Sequence, residues 1–141
     1  MRTYNPSTIH ATKVTADYLA EYGVHTGPTF ADPHTGALDP CAAAYRAITG
    51  RTPGWFTADD GAASVAVLTL NEDAMDVIRL ISDHLDTEPP VDSETQTVPD
   101  YIEHIAFWVE NTPPSEVIGR ILRAARDAAE QTTTPTIRLA A

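Results

Sequence analysis

The chain of 141 residues has a single cysteine, Cys41, which excludes an intramolecular disulfide framework and any cysteine-rich zinc module. No stretch approaches the ~18 consecutive apolar residues of a membrane span, and the opening residues MRTYNP lack the apolar run of a signal peptide. A cytoplasmic protein without a membrane partner is expected. Basic residues are scarce: 9 Lys+Arg stand against 20 Asp+Glu, a formal net charge of −11. Nucleic-acid binding draws most of its non-specific affinity from cation–phosphate contacts, so direct nucleic-acid binding is not expected either. The chain also lacks a glycine-rich phosphate loop, a G-x-S-x-G nucleophile elbow and any repeated Cys or His motif. No cofactor and no metal are expected.

What is present is 43% apolar residues, enough for one soluble domain that buries roughly 70% of the surface its unfolded chain exposes. The charge is unevenly spread. Residues 1–51 are neutral, 52–110 carry 13 acidic residues against Arg79 alone, and 111–141 carry three acidic and four basic residues. The excess negative charge therefore sits in the middle, where it can face solvent or a partner.

Three helices are announced by a capping residue followed by Pro, which loses no hydrogen bond at the first helical position. These are Asn5-Pro6, Asp39-Pro40 and Thr112-Pro113. The first is predicted over about 6–22, ending at Gly23, with Tyr4 and Ile9 as a hydrophobic staple and Val14, Tyr18 and Tyr22 on one face. The second, about 40–49, carries an alanine run that would let another helix pack closely, and stops at Gly50. Residues 51–61 read as a loop, and 62–70 as either a buried helix or a short strand or hairpin.

Asn71 opens a helix with Ala74, Val77, Ile78, Ile81 and Leu85 in a stripe. The acidic segment 86–98 reads as a loop within the domain. A helix at about 99–111 and a last one at about 113–131 are joined by a turn short enough to set them side by side and antiparallel. Residues 132–141 read as a flexible tail. The expected fold is an all-α, single-domain bundle of five or six helices over 1–131. Its core is drawn from Val14, Tyr18, Ala44, Ile48, Val77, Ile78, Ile81, Ile102, Ile105, Val109, Val117, Ile118, Ile121 and Leu122.

Candidate chemistry is sparse. Cys41 falls in the first turn of its helix, where free amides can lower a thiol pKa, but Asp39 in the same turn opposes a second negative charge. His25 and His34, with Asp32 and Asp39, could gather near Cys41, although the spacing matches no compact zinc signature. His84 complements a helix C-terminus, and His104, four residues after Asp100, could pair with it on the helix surface. Arg120, Arg123 and Arg126 could suggest DNA contact, but Glu116, Asp127 and Glu130 fall at pairing distance from them and make that helix neutral. Trp55 and Phe56 beside Asp59 and Asp60 form a candidate contact patch.

Residues Cys41–Pro53 (CAAAYRAITGRTP), together with Trp108 and Pro113–Ala125 (PPSEVIGRILRAA), resemble a family of small actinobacterial and actinophage proteins described as a domain of unknown function. The similarity spans about 10–130. It implies a mostly helical bacterial or phage protein and brings no activity with it. The functional expectation is a small accessory or regulatory protein that binds a protein partner through Trp55, Phe56, Asp59, Asp60, Glu72 and Asp76. One alternative is a small enzyme or metal protein centred on Cys41, His25 and His34; another is an acidic nucleic-acid mimic.

Overall fold

An oxygen meets the first free amides of each of five helices. Asn5 accepts from Thr8 N ahead of α1 (Pro6–Tyr22), and Asp39 from Cys41 N ahead of α2 (Pro40–Thr49). Asp60 caps α3 (Gly61–Thr69), Asn71 caps α4 (Glu72–Asp83) and Asp100 caps α5 (Tyr101–Glu110). Such caps replace water on donors that have no partner inside the helix. The computed structural model describes residues 2–58, 60–91 and 99–140, with side chains as far as Thr132. Among these residues the elements are six α-helices and a 3₁₀ turn, Gly54–Phe56, with no strand. The segment 62–70 is therefore helix as far as Thr69, and the all-α expectation holds.

The sixth helix, α6 (Pro114–Ala140), starts one residue later than predicted. Pro113 O accepts from both Glu116 N and Val117 N at 3.0 Å, so the capping position is Pro113. Thr112 instead turns back, its hydroxyl donating to Trp108 O at 2.6 Å and closing α5. Nor do α5 and α6 lie side by side. The turn releases α6 to pack along α1, while α5 rests on α4. The predicted tail is also helical as far as Ala140. Thr132, the first residue of that tail, holds its hydroxyl 3.0 Å from Ala128 O and 3.4 Å from Tyr4 O.

The core forms where α1 and α2 meet. Cys41, Ala42, Ala43 and Ala44 are buried, and their small side chains let the two backbones approach. On α1 the buried face is Thr8, Ala11, Thr12, Thr15, Ala16 and Leu19, rather than Val14, Tyr18 and Tyr22. The reason lies in the threonines. Thr12 donates to Thr8 O at 2.8 Å and Thr15 to Ala11 O at 2.7 Å, so each hydroxyl is satisfied by its own helix and can enter the core. Val14 and Tyr18 are half-buried and Tyr22 is exposed.

Val77, Ile78 and Ile81 of α4, Ile102, Ile105 and Val109 of α5, and Val117 and Ile121 of α6 complete this core. Ile48 and Ile118 pack against it partly exposed, and Leu122, expected inside, is 44% exposed. The seam of α6 is narrower than predicted: as far as Thr132 its other buried positions are Ala124, Ala125 and Ala128. These meet Tyr4, Ile9 and Leu80 in a second cluster, so the predicted staple residues are both inside. The Tyr4 hydroxyl donates to Asp83 and ties the N-terminal segment to α4.

The loop 23–39 is irregular yet pinned by backbone bonds. His25 N donates to Leu38 O at 2.8 Å, Leu38 N to Gly23 O at 3.0 Å and Asp39 N to Phe30 O at 2.7 Å. Gly23 enters the loop at φ 98°, a conformation that a side chain would strain. Within the acidic segment, Val91 bridges Pro99, which follows the segment's end, and Asp100 N donates to Pro90 O at 2.7 Å. Its residues 92–98 lie outside the described residues.

Asp39 is buried at the α2 cap, and loss of hydration pushes its carboxyl up to about 7, outweighing the Cys41 amide that favours the anion. An unfolded carboxyl releases its proton near 3.8. Between about 4 and about 7 the folded state keeps a proton that the unfolded state has lost, so stability falls as pH rises through that window. Asn accepts the same amide bond without titrating. The Asp39→Asn variant is therefore expected to gain stability relative to the parent as pH rises from 4 to 7, by a few kcal/mol at most. Urea unfolding across that range checks it, and parallel curves for the two proteins would refute it.

Candidate functional site

The 3₁₀ turn sends its two aromatic side chains in opposite directions. Phe56 is fully buried, its ring 5.8 Å from Phe30 and edge-on to Tyr45 at 5.4 Å. Its carbonyl accepts from both Phe30 N and Ala31 N, at 3.0 and 2.9 Å. Phe56 therefore belongs to the core and is not available to a partner, which corrects its place in the predicted contact patch. Trp55 stays outside, 54% exposed.

Behind Trp55 lies α3, which contains no charged residue. Ser64 and Leu68 are its buried side chains, and the Ser64 hydroxyl donates to Trp55 O at 2.8 Å, fixing the helix to the turn. The opposite face carries Ala62, Val65, Ala66, Thr69 and the following Leu70, all exposed, with Leu70 at 85%. Positions 62, 66 and 70 with 65 and 69 follow helical spacing and form one stripe. A large exposed apolar side chain is unremarkable alone, but a stripe of them on the helix that follows a half-exposed Trp is a candidate interaction surface.

Carboxylates border this stripe in sequence. Exposed Asp60 caps α3, and exposed Glu72 and Asp73 sit in the first turn of α4, two residues beyond Leu70. Asp76 is partly buried and pairs with Arg79 at 3.3 Å, so it is internally offset. Asp59 lies outside the described residues.

The thiol alternative fares differently. Cys41 is 1% exposed, and burial, followed by the Asp39 carboxyl, pushes its thiol well above the ordinary value. It offers no thiolate at neutral pH. His25 is held by Thr29 Oγ1, 2.9 Å from its Nε2, and His34 is exposed on the loop. Among the described residues no three His, Cys, Asp or Glu side chains converge on a point that could hold a metal ion. On α6, Arg120 reaches across to Asp86 at 2.5 Å instead of pairing with Glu116.

His104 is the polar residue that sequence reasoning misplaced. It is 4% exposed, with Nδ1 2.6 Å from Ser82 Oγ and Nε2 2.7 Å from Thr87 Oγ1. A neutral imidazole has one donor and one acceptor nitrogen, and hydroxyls can complement either. His104 thus joins α4, the segment after it and α5, and forms part of a cleft of ≈ 400 Å³ beside Trp108. The overlooked signal was its position next to Ile105 on the inward face of α5.

No family model matches the chain, and neither a curated protein nor a solved structure matches it.

Two outcomes follow from this geometry. Phe56→Ala should cost about 3–5 kcal/mol of unfolding free energy by opening a cavity. Trp55→Ala should change it by about 0.5 kcal/mol or less; urea unfolding of both variants checks the contrast. Burial holds the His104 pKa below 6.5 despite the nearby Glu88 and Asp83 carboxylates. The unfolded state therefore takes up a proton first on acidification, and this group's contribution to stability is lost as pH falls below about 6.5. An NMR titration of the ring that returned a value at or above 6.5 would contradict this.

Proposed function

We propose that this is a small accessory or regulatory protein that acts by binding another protein through Trp55 and the exposed stripe of α3. The observation that carries the reading is the uncharged helix whose outer face, Ala62, Val65, Ala66, Thr69 and Leu70, is left exposed by the described residues and which follows a turn whose Trp55 is 54% exposed. Charge suggests what covers it. Carboxylates of Asp60, Glu72 and Asp73 border the stripe, and Arg79, the single cation of 52–110, is engaged with Asp76. A second copy of the chain would bring like charges together around the contact. An amphipathic helix with an apolar face flanked by Lys or Arg would satisfy both features.

A cytoplasmic setting accords with this reading, and among the described residues no helix is long and apolar enough to cross a membrane. Buried Cys41 gives the enzyme or metal alternative no comparable support. The test is photo-crosslinking from a probe at Val65 in cells of the source organism. Capture of one protein is expected, lost with Trp55→Ser and Leu70→Asp, weakened by salt, and retained with Leu122→Asp, which alters an exposed apolar residue on α6. Capture indifferent to Trp55 and Leu70, or a homodimer that Leu70→Asp dissolves, would overturn the proposal.

A further inference from the structure

A second feature lies away from that stripe, at a pocket of ≈ 270 Å³ between the 23–39 loop, α2 and the segment that follows it. Its surface is largely apolar, with Ala31 and Leu38 in its wall, and it contains two ionic side chains, Arg46 and Asp32. The Arg46 guanidinium lies over two stacked rings, 5.3 Å from the centre of Tyr18 and 5.2 Å from that of Tyr22. Its Nη1 donates to Thr52 Oγ1 at 3.0 Å, and its Nε is buried without a partner. In a chain with 20 carboxylates, Arg46 pairs with none of those described. Position in the last turn of α2 accounts for a positive charge there, but not for a cation clamped between rings and Thr52 at the wall of a pocket.

Asp32 supplies the other sign. One of its oxygens accepts from His34 N at 2.8 Å and Thr35 N at 3.4 Å, and these amides hold the carboxyl below its ordinary range. Asp32 and Arg46 share the pocket without pairing. A simple carboxylate attracted by Arg46 would be repelled by Asp32, and a simple amine would meet the reverse. A molecule with both charges satisfies each. The volume falls below the ~300–1,000 Å³ of pockets that take drug-sized ligands, which limits the occupant to a small molecule.

We propose that this pocket binds a small aliphatic amino acid, its carboxylate on Arg46, its ammonium on Asp32 and its side chain against Ala31 and Leu38. This does not depend on the α3 surface. The full chain is titrated calorimetrically with L-alanine, L-valine and L-leucine at millimolar concentrations, and with isoamylamine, isocaproate and inorganic phosphate. At least one amino acid should bind, with isoamylamine and isocaproate each about tenfold weaker or more, since each lacks one charge-assisted contact. Asp32→Asn, which keeps the acceptor for the two amides, should abolish the preference for L-leucine over isocaproate. Arg46→Gln should lose binding, and Arg46→Lys, read beside its thermal unfolding, separates loss of the site from loss of the fold. Failure of every amino acid to bind, equal binding of isocaproate or phosphate, or an unchanged preference in Asp32→Asn would overturn the assignment.

Discussion

The close contact of α1 with α2 is the constraint from which the rest of the architecture follows. It exists because one helix presents Cys41, Ala42, Ala43 and Ala44 and the other presents alanines and threonines whose hydroxyls are returned to their own backbone. Small residues on both sides let the backbones approach without leaving voids. With these helices close, the loop between them closes on itself through Leu38, α4 covers one side and α6 runs along α1. Bulk enters around this contact as Leu19, Ile78, Ile81, Ile105 and Ile121.

Adjacent residues with the same chemistry receive opposite roles at the 3₁₀ turn. Phe56 fills a space beside Phe30 and Tyr45 while its carbonyl anchors the loop, and Trp55 is thereby left outside next to α3. The exposure of Trp55 is thus a by-product of where the core needs an aromatic ring. That α3 keeps so apolar an outer face is not required by the core, which takes only Ser64 and Leu68 fully from it. A solvated helix of that length would ordinarily carry charge on such a face. Its absence, in the most acidic part of the chain, is the feature on which the proposed binding role rests.

Burial governs the titratable groups more than their position on helices does. Cys41 and Asp39 sit at a helix N-terminus, where the dipole favours negative charge, yet desolvation moves both toward their neutral forms. His104 is likewise held neutral between two hydroxyls. Arg46 shows a different solution. Its guanidinium lies over two tyrosine rings, and no carboxylate of the described chain pairs with it.

The caps and stops at Asn5, Gly23, Asp39, Gly50 and Asn71 were legible from sequence because each acts within a few residues of its own helix. The stripe of α4 was legible for the same reason. Sequence also determined the charge imbalance and the all-α class. Partner choice among helices was not legible: α6 pairs with α1 across the whole chain, and a short turn alone does not encode that contact. Nor could periodicity place Thr12 and Thr15 inside, separate Phe56 from Trp55, or bring Asp32 to the pocket of Arg46. Those outcomes depend on packing between distant segments, where burial decides which polar groups are satisfied, which aromatic is covered and which charge stays unpaired.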